Sequence, residues 1–250
     1  MTTAVVWGLI GVALFAVAGC ARPDTPGDVI VFAAASLTDV AADLEAAYED
    51  AHPGARVRVS VGSTPVLARQ IAQGAPAAVF LAADPAWIDT LEADGYLDGA
   101  AVQLARGRLV VIGPPGGAAS PTLAAALEGA ERIALADPAS VPAGQYARTA
   151  LVRAGLWEAA ESRVIPTSDV RAAVAAVETG AADAALVYAS DAQSSTSLTV
   201  RYRLAPDEQP AIRFAGAVVR GGGGAGAAFL ALARERPRLW ASRGFLPPAP

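Results

Sequence analysis

The sequence predicts an α/β protein, and three observations carry that expectation. From residue 29 onward short apolar runs alternate with stretches of helical periodicity, the pattern of βα units over a largely parallel sheet. The junctions are punctuated by hydroxyl or Asp residues followed by Pro at helix starts, and by Gly at helix ends. The chain has 250 residues, 54% of them hydrophobic and 17% charged. That suffices to bury one large core or two modest ones, and it rules out a disordered solvating chain.

Residues 29–34 form a continuous apolar run fit for a strand buried on both faces. Leu37, Val40, Leu44 and Tyr48 then fall on one helical stripe. Residues 56–61 alternate charged and apolar, as in a strand with one wet face. Thr64-Pro65 opens a helix that Gly74 closes. A strand over residues 79–82 precedes Asp84-Pro85, which caps a helix carrying Trp87, Ile88 and Leu91 and stopped at Gly95. The same order recurs: a strand at 109–112, a helix capped by Ser120-Pro121, a strand at 133–136 and a helix over 146–154 ended by Gly155. Ser168 caps a helix bearing Val170, Val174 and Val177, and a strand follows at 184–188. Residues 199–203 and 212–219 read as further strands, and a last helix runs over about 227–236. No internal repeat is evident. The Gly221 to Gly224 run lacks the Lys-Ser/Thr of a phosphate loop and reads as a hinge-side loop. Two lobes are the expected division.

Before these elements, residues 4–19 form an uncharged apolar run that stops at Cys20. It is short for a spanning helix and right for a signal h-region. Val17-Ala18-Gly19-Cys20 resembles a lipoprotein signal, in which small residues precede a cysteine that is lipidated and becomes the new N-terminus. One departure is Met1-Thr2-Thr3, which carries no basic residue. The plainer alternative is an unpaired cysteine at the end of an uncleaved anchor. The expectation is a signal over 1–20 with lipidated Cys20, and a Pro/Gly-rich tether over 21–28. The body should then be soluble and held outside the cytoplasmic membrane.

All 19 basic residues are Arg, and the net charge of −5 opposes nucleic-acid binding, which calls for a basic field. A single Cys excludes a disulfide framework and a cysteine cage for a metal. With one His, a Ser-His-Asp hydrolase would depend wholly on His52, which precedes Pro53-Gly54 in a solvated turn. Ser36 and Thr64 stand directly after the first two strands. A hydroxyl there caps free backbone N–H groups in the structural reading. In the functional reading several helix N-termini converge and make an anion site at the strand ends.

The stretch Val31-Phe32-Ala33-Ala34-Ala35-Ser36-Leu37-Thr38 resembles the opening of the periplasmic molybdate-binding proteins of ABC importers. Further matches follow in order: Leu67-Ala68-Arg69-Gln70-Ile71 with Gly74-Ala75-Pro76-Ala77, then Ala83-Asp84 and Asp137-Pro138. After them come Val141-Pro142-Ala143-Gly144 with Tyr146-Ala147, Asp169-Val170-Arg171, Val187-Tyr188 and Gly244-Phe245. The resemblance implies a two-lobed periplasmic-binding-protein fold of type II, with two crossovers and the ligand in the interlobe cleft. Lobe 1 would comprise residues 28–106 plus 214–247, and lobe 2 residues 107–213.

By the same resemblance the oxyanion contacts fall on the hydroxyls of Ser36 and Thr64, the backbones of Ala143 and Val170, and the Tyr188 hydroxyl. Ser63 could replace Thr64, where the family usually has Ser. Departures from the family at Ala78 and Ala82 read as packing variants. Arg69 and Arg171, one turn into their helices, read as solvated ion pairs or as guides for an anion. The function implied is a lipid-anchored receptor that binds molybdate and tungstate and delivers them to an importer permease. It would act as a monomer, without catalysis, cofactor, cation site or nucleic-acid partner. A receptor for another oxyanion such as sulfate is the alternative, and a surface hydrolase using Ser36 or Thr64 a distant one. All the implied donors are neutral, so a protonated oxygen finds no acceptor, and fully deprotonated dianions are favoured over hydrogen phosphate.

Overall fold

The apolar run at Val29–Ala34 forms strand β1, with five of its six residues buried. The structure, a computed structural model, describes residues 28–248, so the signal segment, Cys20 and the tether up to residue 27 lie outside the described residues. Strands β2 (Val57–Gly62) and β3 (Val79–Ala82) pair with β1 in parallel, one on each side. Strands β4 (Leu97–Arg106) and β10 (Arg213–Val219) complete this sheet in the order β2-β1-β3-β10-β4, with β10 antiparallel to both neighbours.

The second sheet follows the same plan. Strand β6 (Ile133–Ala136) lies between parallel neighbours β7 (Val164–Thr167) and β8 (Ala184–Tyr188). Strand β5 (Leu109–Gly113) runs antiparallel to β8 and to the edge strand β9 (Thr199–Arg203), giving the order β7-β6-β8-β5-β9. Both sheets are therefore mixed rather than largely parallel. Their parallel strands are arranged alike, β2-β1-β3 and β7-β6-β8, each flanked by an antiparallel strand, although the sequence has no visible repeat.

The chain crosses from the first sheet to the second between β4 and β5 and returns between β9 and β10. The two crossings touch: the Gly107 N–H donates to the Ile212 carbonyl at 3.1 Å. A Cβ on Gly107 would come within 2.7 Å of Ile212, so only glycine lets them approach this closely. The Gln209 side chain, itself buried, accepts from the Leu109 N–H at 2.7 Å and donates to the Leu204 carbonyl at 3.3 Å.

A single 3-10 turn (Ala35–Leu37) joins β1 to helix α1 (Thr38–Ala51), whose buried stripe is Val40, Ala41, Leu44 and Tyr48. Helices α2 (Thr64–Ala72) and α3 (Pro85–Ala93) cover Phe32 and Phe80 on one face of the first sheet. The other face shares one continuous apolar core with the second sheet. Asp84 caps α3 as expected, accepting from the Ala86 N–H.

Several boundaries differ from the sequence reading. Thr122, not Ser120, caps the short helix α4 (Leu123–Ala126). Helix α5 (Pro142–Arg153) begins four residues before the expected start, so Pro-Ala-Gly is its first turn. After the short helix α6 (Trp157–Glu161), helix α7 (Val170–Glu178) is capped by Asp169, which accepts from the Ala172 N–H, rather than by Ser168. Helix α8 (Ala189–Gln193) leads from β8 toward the edge strand. The Gly221 to Gly224 run lies at the opposite end of β10 from the crossing and starts helix α9 (Gly223–Glu235). There Gly222 and Gly226 pack on the Ala78 carbonyl, where a Cβ would collide. Helix α10 (Pro237–Ser242) follows. Among the described residues no helix is long and apolar enough to cross a membrane.

Candidate functional site

Five junctions at carboxyl ends of strands meet at one small cavity. Ser36 sits in the 3-10 turn after β1, and Thr64 is the first residue of α2 after β2. From the second sheet come Ala143 in the first turn of α5, Val170 at the start of α7 and Tyr188 at the end of β8. All five residues line the same enclosure, together with Ser63. It leaves about 10 Å³ for the centre of a water-sized molecule, close to the minimum that holds one water. Such a space suits a guest of a few atoms.

The walls are rich in donors. Ser36 is 3% exposed and Tyr188 fully buried, and neither hydroxyl has a hydrogen-bond partner within the protein. Buried polar groups are nearly always paired, so two bare hydroxyls in one enclosure mark a place built for a guest. Thr64 is 1% exposed, and its Oγ1 accepts from the Ala83 N–H at 3.3 Å, which leaves its own O–H to donate. Ser63 is buried beside it and makes no capping bond to α2.

Helix starts supply the rest. The first N–H groups of any helix lack an intrahelical partner. Neither Val141 nor Ser63, the residues before α5 and α2, caps its helix with a side chain. At α7 the Asp169 carboxylate serves Ala172, leaving the Val170 N–H uncapped by it. Gly144 explains why α5 can begin here: a Cβ would fall on the Ala136 carbonyl at the end of β6. Asp137 accepts from the Ser140 hydroxyl and then the Ala139 N–H, bonds that hold its carboxyl below the usual range and shape the turn into α5.

The electrostatics favour neutral donors. Burial, then the neighbouring Tyr146, Asp191 and Asp84, push the Tyr188 hydroxyl well above its ordinary pKa, so it stays a donor at any physiological pH. Burial and Asp84 raise Tyr146 likewise. No cationic side chain lines the enclosure. Arg69, a little over one turn into the short helix α2 and so already in its last turn, is exposed and does not line the enclosure. Arg171 is drawn away from the enclosure into a pair of carboxylates: its Nε lies 2.7 Å from Asp191 and its Nη2 2.6 Å from Asp39. The sequence reading named Arg171 but missed both partners. A fully buried Asp191 three residues after a buried strand carries no distinguishing local signal.

His52 stands at the far end of α1, half-buried rather than solvated, with its ring stacked on Tyr48 at 4.2 Å. A 14-residue helix separates it from the Ser36 turn, about 20 Å at 1.5 Å per residue. Among the described residues lining the cavity there is no histidine. Ala82 is buried in β3 and Ala78 packs against α9; neither lines the enclosure.

Comparison with known proteins agrees with this architecture. The profile described as "Bacterial extracellular solute-binding protein" matches residues 29–246. The chain is 38% identical over 214 residues to the molybdate-binding protein ModA of Escherichia coli, covering 83% of this chain and 82% of that one. In three dimensions it is similar to the periplasmic molybdate-binding protein of Azotobacter vinelandii, at TM-score 0.78 and 22% identity over 88% of this chain and all of that one. It is also similar to the sulfate-binding protein SubI of Mycobacterium tuberculosis, at TM-score 0.75 and 17% identity over 90% and 88% of the two chains. At such identities these likenesses establish the fold and leave the ligand open.

Proposed function

Since the chain belongs to the bacterial extracellular solute-binding proteins, we propose that it captures molybdate, and with it tungstate, for an ABC importer. The observation that carries this reading is the pair of buried, partnerless hydroxyls on Ser36 and Tyr188, which reach one enclosure from two different sheets. Identity to a molybdate-binding relative over most of the chain supports the choice of anion.

A tetrahedral dianion in this enclosure exchanges its hydration shell for the hydroxyls of Ser36, Thr64 and Tyr188 and the amides of Ala143 and Val170. Hydrogen bonds to a charged group contribute about 1.5–3 kcal/mol each, so five offset a large desolvation penalty. With donors on every side, a protonated oxygen meets a donor where it needs an acceptor; hydrogen phosphate is thereby disfavoured.

Residues 28–106 with 214–247 form one body and 107–213 the other, and they close on the ion by bending at the two crossings. The closed form is what a permease recognises. Lipid on Cys20 and the tether over 21–28 hold this monomeric receptor at the outer face of the cytoplasmic membrane.

Calorimetry on the purified protein with molybdate, tungstate, sulfate and phosphate tests the cargo. Saturable one-to-one binding of molybdate and tungstate, with sulfate weaker and phosphate silent, is expected. Binding of sulfate without molybdate would reassign the cargo, and silence toward all four would remove the capture reading. For the anchor, mass spectrometry should find a diacylglyceryl adduct on Cys20, and Cys20→Ser should release the protein from membranes. A mature chain with free Cys20 refutes lipidation.

A further inference from the structure

Among the described residues, Arg171 is the one side chain whose ion pairs join the two sheets' halves of the molecule. Its Nε is held 2.7 Å from Oδ1 of Asp191 on α8, inside its own half. Its Nη2 reaches across to Oδ2 of Asp39 on α1, at 2.6 Å. The other helix pair of this type, Arg243 with Asp43, lies within the first half, between the end of α10 and the same α1.

We propose that Arg171 is a positioning residue for ion capture: a latch that holds the two halves closed over the cavity by gripping Asp39. The proposal rests on the capture reading for its ligand, while the latch itself is a property of the protein. Three features support it. Asp191 is fully buried, its second oxygen has no partner and its first lies 2.7 Å from Arg171, so this carboxylate pre-aims the guanidinium. Asp39 and Arg171 remain partly exposed, at 34% and 24% for their side chains, so the cross-contact can break and re-form at the surface while the inner pair persists. Both members also sit beside donors: Asp39 is three residues after Ser36, and Arg171 directly follows Val170. Helix α7 packs against the 3-10 turn, so gripping Asp39 sets the Val170 amide against the Ser36 hydroxyl.

The chemistry suits a latch rather than a second anion site. Two carboxylates surround one guanidinium, which repels an incoming anion and leaves the ion to the neutral donors. A geometry of this kind, charge-assisted and partly desolvated, acts chiefly on the rate of opening and hence of release.

Asp39→Asn tests it, because the change leaves the inner Arg171–Asp191 pair intact; Asp43→Asn is the matched control on the same helix. Stopped-flow kinetics should show molybdate release from Asp39→Asn accelerated by about tenfold, with association within about twofold of wild type. Arg171→Lys should recover part of the slow release that Arg171→Met loses. Small-angle scattering of the ligand-free proteins should show a larger radius of gyration for Asp39→Asn than for wild type and Asp43→Asn. Unchanged release and unchanged scattering in Asp39→Asn overturn the latch, as does an equal effect of Asp43→Asn. If wild type binds none of the oxyanions, the capture reading fails while the scattering comparison still decides the latch.

Discussion

From the first sheet the cavity receives side chains: the hydroxyls of Ser36 and Thr64, set on turns directly after β1 and β2. From the second sheet it receives mostly backbone, the opening turns of α5 and α7, with Tyr188 as the only hydroxyl. The parallel strands are laid out alike, β2-β1-β3 in one sheet and β7-β6-β8 in the other, so their arrangement does not explain the difference. Local sequence does. The first sheet's turns carry hydroxyls at the strand exits, whereas the second places Pro142 and Gly144 there, so a helix can start tight against β6. One half is armed by what its side chains are, the other by where its main chain can go.

The sharpest way to break the second half is Gly144→Ala. The added methyl meets the Ala136 carbonyl, so the start of α5 must shift. A loss of about 3 kcal/mol in chemical denaturation is expected, as for overpacking of a rigid site. Molybdate affinity should fall at least a hundredfold, and unchanged affinity would dismiss the α5 amides as donors.

Next come the two bare hydroxyls, compared across the halves. Ser36→Ala and Tyr188→Phe should each weaken molybdate binding by about 1.5–3 kcal/mol by calorimetry. Tyr188→Phe should leave the free protein as stable or more so, since the hydroxyl it removes is buried without a partner. A stability loss there, with affinity intact, would turn Tyr188 into a packing residue.

Asp191 gives a pH test centred on the second half. Burial pushes its carboxyl from 3.8 up to about 7, against the opposing pull of Arg171. A group raised on folding contributes stability that is full below its unfolded pKa and fades as pH rises through the folded one. Wild type should therefore lose stability between about pH 4 and pH 7 from this source, and Asp191→Asn should flatten that slope in thermal melts. A parallel slope in the mutant contradicts the assignment.

The smallest effect belongs to His52→Ala, outside both halves of the site. Losing the stack on Tyr48 should lower stability by about 0.5–1.5 kcal/mol without moving molybdate affinity.

The same contrast decides what could be read from the sequence. Strands over 29–34, 79–82 and 133–136 were plain because buried apolar runs bounded by turn residues have few other destinations. Strand β4 was missed because only two of its ten residues are buried and its pattern, LDGAAVQLAR, barely alternates. Capping choices at Ser120 and Ser168 went wrong where a second capping residue stood one or two places on, at Thr122 and Asp169. Ser36 and Thr64 were legible as hydroxyls at strand exits, but Ala143 and Val170 came only through resemblance, since a main-chain donor leaves no mark in residue type. The Arg171 partners lie 132 and 20 residues away in the chain, beyond any local pattern.

Tyr188 stands opposite Leu109, the first residue of the strand that follows the outward crossing, and the next residue, Ala189, bonds back to the Arg108 carbonyl. Its ring also meets Phe214, just past the return crossing, edge-on at 5.3 Å. It therefore sits close to the axle, where swinging produces the least travel. Under the proposed closure, Ser36 and Val170 would sweep apart on opening while this hydroxyl keeps its station, one fixed peg for an arriving ion before the jaws come round it.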